Sequence, residues 1–123
     1  MFERKLLTEL QKELGDEYRM NCPLGMVIMQ EGQVGDLMYV VLEGRVLIFI
    51  RGTVVEKIGS GAVFGEMALV EKGQRLATAV TDTDCSLLAI NRAAFLELVR
   101  NKPDFGMTLL SAIGDREIGR AHV

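Results

Sequence analysis

The sequence predicts a mainly β domain, a sandwich or barrel, with a helix before it and helices after it. Three observations carry this. From Tyr18 to Ile90, short segments rich in Val, Ile, Leu and Thr are cut by glycines at Gly25, Gly32, Gly35, Gly44, Gly52, Gly59, Gly61, Gly65 and Gly73, the pattern of many short strands joined by turns. The segments on either side carry apolar residues at helical spacing instead. The chain has 123 residues, the length of one domain, and its 49% hydrophobic content is enough for a core.

Taken in order, residues 2–14 read as a helix. Phe2, Leu6, Leu7, Leu10 and Leu14 fall on one face with Glu, Arg, Lys and Gln between them, and Gly15-Asp16 stops it. This helix is expected to pack on the barrel, with a dimerisation surface as the alternative. Strands are expected at 18–22, 26–30, 37–42, 45–50, 53–58, 77–81 and 85–90. Pro23-Leu24-Gly25 and Arg51-Gly52 read as hairpin turns. Tyr39-Val40-Val41-Leu42 and Val46-Leu47-Ile48-Phe49-Ile50 are too continuously apolar for a half-solvated sheet, so they are expected to be covered on both faces or to meet a ligand or partner on one. Asn91 is a good N-cap for a helix over 92–101, with Phe95, Leu96 and Val99 on one face. Pro103 ends that helix, because the residue before a proline leaves the helical region. Asp104 is expected to cap a last helix from about Phe105 to 120, with Met107, Leu110, Ile113 and Glu117 on one stripe. Gly106, Gly114 and Gly119 each weaken it by about 1 kcal/mol against alanine. The sequence holds no internal repeat, low-complexity tract or linker, and 1–123 reads as a single domain.

Composition excludes several functions. No apolar run approaches the roughly 18 to 20 residues of a membrane span, and the basic start, Met1 to Lys5, has no apolar signal core after it. A soluble, cytoplasmic protein is the expectation. Net charge is −3, with 14 basic and 17 acidic residues. From Asn91 onward, Arg92, Arg100, Lys102, Arg116 and Arg120 are mixed with Glu97, Asp104, Asp115 and Glu117, so no basic patch invites nucleic acid. Cys22 and Cys85 lie in apolar, strand-like surroundings and read as buried free thiols. Two Cys and one His, His122 near the end, do not make a closed four-ligand metal site without carboxylates. No cofactor is expected. A hydrolase needs a general base or a metal, and no suitable His, paired nucleophile or metal cluster is read here, so an enzyme is not expected.

The stretch that carries chemistry is Phe64-Gly65-Glu66-Met67-Ala68-Leu69, with Arg75 nine residues after Glu66 in Arg75-Leu76-Ala77-Thr78. Gly65 lets the backbone turn without a side chain in the way. Met67-Ala68-Leu69 then forms a short helical turn whose first N–H groups have no helical partner and attract a phosphate. Arg75 adds a forked, permanent cation to the same anion. Glu66 has the wrong charge for a phosphate and the right acceptor for a sugar hydroxyl. One ligand with a phosphate and a free hydroxyl on the same ribose suits both. The opposing reading is an ordinary ion pair that ties two loops together and contributes little.

This stretch resembles the phosphate-binding cassette of cyclic-nucleotide-binding domains, the family of the catabolite activator protein and the protein kinase A regulatory subunits. Upstream, Gly32-x-x-Gly35-Asp36-x-x-Tyr39-x-Val41-x-x-Gly44-x-Val46 looks like the family's glycine-framed strand pair. The resemblance covers roughly residues 18–115. It implies a jelly-roll β-barrel, a double-stranded β-helix, whose last helix closes over the ligand and often pairs with its twin in a dimer. It implies that Glu66 accepts from the ribose 2′-hydroxyl and that Arg75 pairs with the cyclic phosphate. The N–H groups of Ala68 and Ala77 would complete the cradle, with Gly65 allowing close approach. Met67 would lie in the cassette, and Ile48, Val55 and Ile58 would pack near the base or sugar. Leu76 stands where many relatives have Ala, Ser or Thr. It offers no hydroxyl to the phosphate, which leans the resemblance towards cAMP over cGMP. Ala62 stands where the family often has an acidic residue. No helix-turn-helix, kinase-inhibitor segment or channel pore is read in the sequence. The expected role is a regulatory module that binds cAMP, with cGMP as the other candidate, acts on an unidentified effector protein and pairs as a homodimer through its terminal helices. The alternative is a structural or interaction domain of the same fold that has lost the nucleotide.

Overall fold

A computed structural model describes residues 2–70 and 73–117, with side chains described as far as residue 113. Helix α1 (Arg4–Leu14) is followed by β1 (Arg19–Cys22), β2 (Val27–Met29), β3 (Val34–Gly35), β4 (Leu37–Glu43), β5 (Val46–Ile50), β6 (Thr53–Ile58) and β7 (Val63–Phe64). Then come a short 3₁₀ turn (Glu66–Leu69), β8 (Gly73–Gln74), β9 (Thr78–Thr81), β10 (Cys85–Asn91), α2 (Arg92–Asn101) and α3 (Pro103–Glu117). Two four-stranded antiparallel sheets, ordered β1-β10-β4-β7 and β2-β9-β5-β6, pack against each other, and β3 pairs with β8 apart from both. Chain neighbours repeatedly change sheet, which makes this a jelly-roll barrel with flanking helices, as the sequence predicts.

There are two cores. Between the sheets, Tyr39, Val41, Phe64, Cys85 and Leu87 meet Met29, Val46, Ile48, Ile58 and Ala79. On the other face of the first sheet, Met38, Val40, Leu42, Leu88 and Ile90 meet Leu7, Leu10 and Leu14 of α1, Phe95 and Leu98 of α2, and Leu109 of α3. Strand β4 thus alternates between two cores, and this explains its unbroken apolar run. Strand β5 is covered on one face only. Val46 and Ile48 point inward, while Leu47 and Phe49 are half-buried on the outside. Cys22 and Cys85 are free, buried and directly opposite in the β1–β10 register. Burial, and then the neighbouring Cys85 thiol, raises the pKa of Cys22.

Several expectations need correction. Arg51-Gly52 is a hairpin turn, with both residues at positive φ, joining β5 to β6. Pro23-Leu24-Gly25 is a turn but not a hairpin: β1 pairs with β10 and β2 with β9, so the chain there changes sheet. Phe2 lies outside α1, and its N–H donates to Gly61 O at 2.7 Å. Strands β3, β7 and β8 have two residues each, too few to show a period. Asn91 does cap α2, its Oδ1 accepting from the Ala94 N–H at 2.8 Å. The buried face of α2 is Ala94, Phe95 and Leu98, with Leu96 exposed and Val99 half-buried.

The last helix begins at Pro103 itself, whose missing N–H costs nothing in a first turn. Asp104 therefore lies inside the helix and not at its cap. Met107, 63% exposed, and Leu110 face outward. The face that packs carries Phe105, Gly106, Leu109, Ala112 and Ile113. Gly106 sets this rotation, because a Cβ there would lie 2.8 Å from Val99 Cα. Residues 118–123, including Gly119, His122 and the expected helix end near 120, lie outside the described residues.

Gly106 thus separates propensity from packing. Gly106→Ala gains about 1 kcal/mol of helix propensity but meets main chain, and overpacking costs about 1–3 kcal/mol. Urea unfolding is expected to show a net loss near 1 kcal/mol, whereas a gain would mean that α2 and α3 are not in close contact.

Candidate functional site

The site is built around the seat of Arg75. Its main chain is held on both sides, Arg75 N–H donating to Gln33 O at 2.7 Å and Gly32 N–H donating to Arg75 O at 2.8 Å. The β3–β8 ladder, Val34 opposite Gln74 and Gly35 opposite Gly73, sets this register. The side chain then crosses Gly35 so closely that a Cβ there would overlap Arg75 Nε. Beyond Gly35 the guanidinium forks: Nη2 donates to Leu37 O at 2.7 Å and Nη1 to Gly65 O at 3.3 Å. Its Cζ lies over the Tyr39 ring, 5.8 Å from the centroid, a cation–π contact. Tyr39 in turn stacks on Phe64, centroids 5.1 Å apart and planes 22° apart. Burial raises the pKa of the Tyr39 hydroxyl, and nearby Arg75 opposes the shift.

The second component is the turn after β7. Gly65 has φ 72° and ψ 15°, the left-handed conformation in which a Cβ is strained. It launches the 3₁₀ turn Glu66–Leu69, in which Ala68 N–H donates to Gly65 O at 3.2 Å. Gly65 O therefore receives both Ala68 N–H and Arg75 Nη1. Glu66, next in the chain, is buried at 4% exposure. Met67 faces outward, and Leu69 packs against the core under the helices. The guanidinium thus meets the start of the helical turn that carries the buried Glu66, a set of residues suited to an anion that carries a hydroxyl donor.

A family model described as the cyclic nucleotide-binding domain matches residues 19–102. The chain belongs to this family. It is 37% identical over 97 residues to a cyclic nucleotide-gated potassium channel of Rhizobium etli, covering 79% of this chain and 27% of the channel. It is 33% identical over 99 residues to the cyclic AMP receptor protein of Thermus thermophilus, covering 76% of this chain and 46% of the receptor. The crystal structure of the Thermus thermophilus catabolite activator protein superposes with a TM-score of 0.74 at 33% identity, over 90% of this chain and 54% of that one. The chain thus spans less than half the length of either curated relative.

Within this cyclic nucleotide-binding domain, the sequence-predicted residues separate into groups. Gly65 meets Arg75 directly, its carbonyl accepting from Nη1, and Glu66, Met67 and Ala68 follow it in the 3₁₀ turn, Met67 facing outward. Ala77 is fully buried in the barrel core. Leu76, beside Arg75, points to solvent at 61% exposure. Ile48 and Ile58 lie in the core with Phe64 and Ala77. Val55 does not join them: it is 51% exposed on β6, where the ladder shifts register and pairs Ile48 with Glu56 but Phe49 with Val54. Sequence reasoning missed Leu37 and Gln33, which act through main-chain carbonyls that no side-chain pattern reports. It also missed what Gly35 and Tyr39 do, although both stand in the glycine-framed motif. Among the described residues no group of three or more His, Cys, Asp or Glu is placed to hold a metal, and no helix is long and apolar enough to cross a membrane.

Gly65→Ala forces a side chain into the left-handed region, at about 1–2 kcal/mol, and sets a Cβ 2.9 Å from Arg75 Nη1. Chemical unfolding is expected to show a loss of at least this size, and an unchanged midpoint would refute the turn geometry.

Proposed function

We propose that this domain is a regulatory module that binds a cyclic nucleotide, cAMP before cGMP, and reports occupancy through its last helix. The observation that carries the reading is the Arg75 fork, whose Nη1 donates to Gly65 O at the start of the Glu66 turn, a cation of the kind that suits a cyclic phosphate. Arg75 pairs with the cyclic phosphate, and Glu66 accepts from the ribose 2′-hydroxyl. Leu76 supplies no hydroxyl, which favours cAMP. The printed name of the Thermus relative, a cyclic AMP receptor, points the same way. Ala68 N–H joins the cradle by exchanging its 3.2 Å bond to Gly65 O for the ligand. The module works by binding and not by catalysis, in the cytoplasm, on an effector yet to be identified.

The route to the helices starts at Leu69, which ends the cassette turn and packs against the cluster that holds α1, α2 and α3. A ligand shifts α3 only by its difference in affinity between two positions of that helix. A second reading keeps the fold without the nucleotide. It is favoured by the Arg75 fork, whose two ends already donate to carbonyls, a purely structural use of the cation.

Calorimetric titration separates the two. The wild-type protein is expected to bind cAMP more tightly than cGMP. Arg75→Ala should lose about 2 kcal/mol, roughly 30-fold, as for a broken charged hydrogen bond. Saturation should also change hydrogen exchange across 103–117. Absence of heat and of any melting shift with either nucleotide would leave the structural reading, and binding without changed exchange would remove the helix from the mechanism.

A further inference from the structure

We propose that Tyr39 is the positioning residue of the site: its ring is the platform that fixes the plane of the Arg75 guanidinium before any ligand arrives. This deepens the cyclic-nucleotide reading and rests on it for the ligand, though not for the geometry. Two carbonyl contacts alone leave a planar cation free to tilt about the line through its terminal nitrogens. A ring face against the cation opposes that tilt, and Tyr39 supplies one, with Arg75 Cζ over its ring at 5.8 Å from the centroid. The surface must itself be immobile. Tyr39 is 6% exposed, stacked on the fully buried Phe64 and paired with it across β4 and β7. Phe64 immediately precedes Gly65, whose carbonyl takes one end of the fork. The Tyr39–Phe64 pair therefore sets both the ring under the cation and one of the atoms the cation donates to. Preorganisation of this kind cuts the ordering cost of binding.

The alternative is that Tyr39 only fills the core. Three variants decide: Tyr39→Leu, which removes the ring; Tyr39→Phe, which keeps it; and Leu87→Ala, which opens the same core between the sheets away from the arginine. Two properties are measured for each, nucleotide affinity by calorimetry and, in ligand-free protein, the order parameter of the Arg75 Nε–Hε bond by nitrogen relaxation, with the resonance identified by its loss in Arg75→Lys. The expected result is a stiff bond in wild type, Tyr39→Phe and Leu87→Ala, and an order parameter below about 0.6 in Tyr39→Leu. Affinity should fall about five- to tenfold in Tyr39→Leu and stay within about twofold in the other two variants, even though Leu87→Ala destabilises the fold.

The proposal is overturned if Tyr39→Leu leaves the order parameter or the affinity unchanged. It is also overturned if Tyr39→Phe loses as much as Tyr39→Leu, or if Leu87→Ala weakens binding as much. If wild type binds neither cAMP nor cGMP, the cyclic-nucleotide reading falls, and the positioning role is decided by the order parameter alone.

Discussion

The close passage of the Arg75 side chain over Gly35 is the constraint on which the site depends. The cation reaches the carbonyls of Leu37 and Gly65 only because position 35 has no Cβ. A half-buried guanidinium must find acceptors, and main-chain carbonyls from β4 and from the turn after β7 provide them here. The hydrogen bonds on each side of the Arg75 main chain, to Gly32 and Gln33, hold the residue in register so that the fork arrives at the right depth. Remote parts of the chain thus meet at one atom group: the glycine frame before β4, the end of β7 and the start of β9.

The two-core layout gives this meeting point a consequence. Strand β4 turns Tyr39 and Val41 towards the barrel interior and Met38, Val40 and Leu42 towards the helices. The cassette turn bridges the same two compartments, since Phe64 is in one core and Leu69 packs against the other. The turn is therefore packed against the same cluster as α2 and α3. The helices are joined to each other at Gly106 and Val99.

Much of this is legible in the sequence, for physical reasons. Strands such as β4 and β5 are long enough for their apolar content and glycine boundaries to mark them, and β10 is marked by its apolar content alone. The two-residue β3, β7 and β8 have no period, and they are the segments that frame the cassette. The helix faces are harder to assign. Met107, Leu110 and Ile113 look like a stripe until Gly106 is seen to be the contact point rather than a weakness. At the site, Gly65, Glu66 and Arg75 stand out because a turn, a carboxylate and a cation have distinct side-chain signatures. Leu37 and Gln33 act through carbonyls, which every residue has, so no spacing betrays them. Val55 falls outside the core because it stands an odd number of residues before the buried Ile58 on β6, and alternation turns the two to opposite faces.

Position 35 requires glycine because Arg75 occupies the space of its Cβ. The direct measurement is a double-mutant cycle in unfolding free energy between Gly35→Ala and Arg75→Ala, with no ligand present. Gly35→Ala should cost at least about 1 kcal/mol beside Arg75, as overpacking does, and close to nothing once the arginine is truncated. An equal cost in both backgrounds would contradict the account, since the glycine would then serve the backbone and not the arginine.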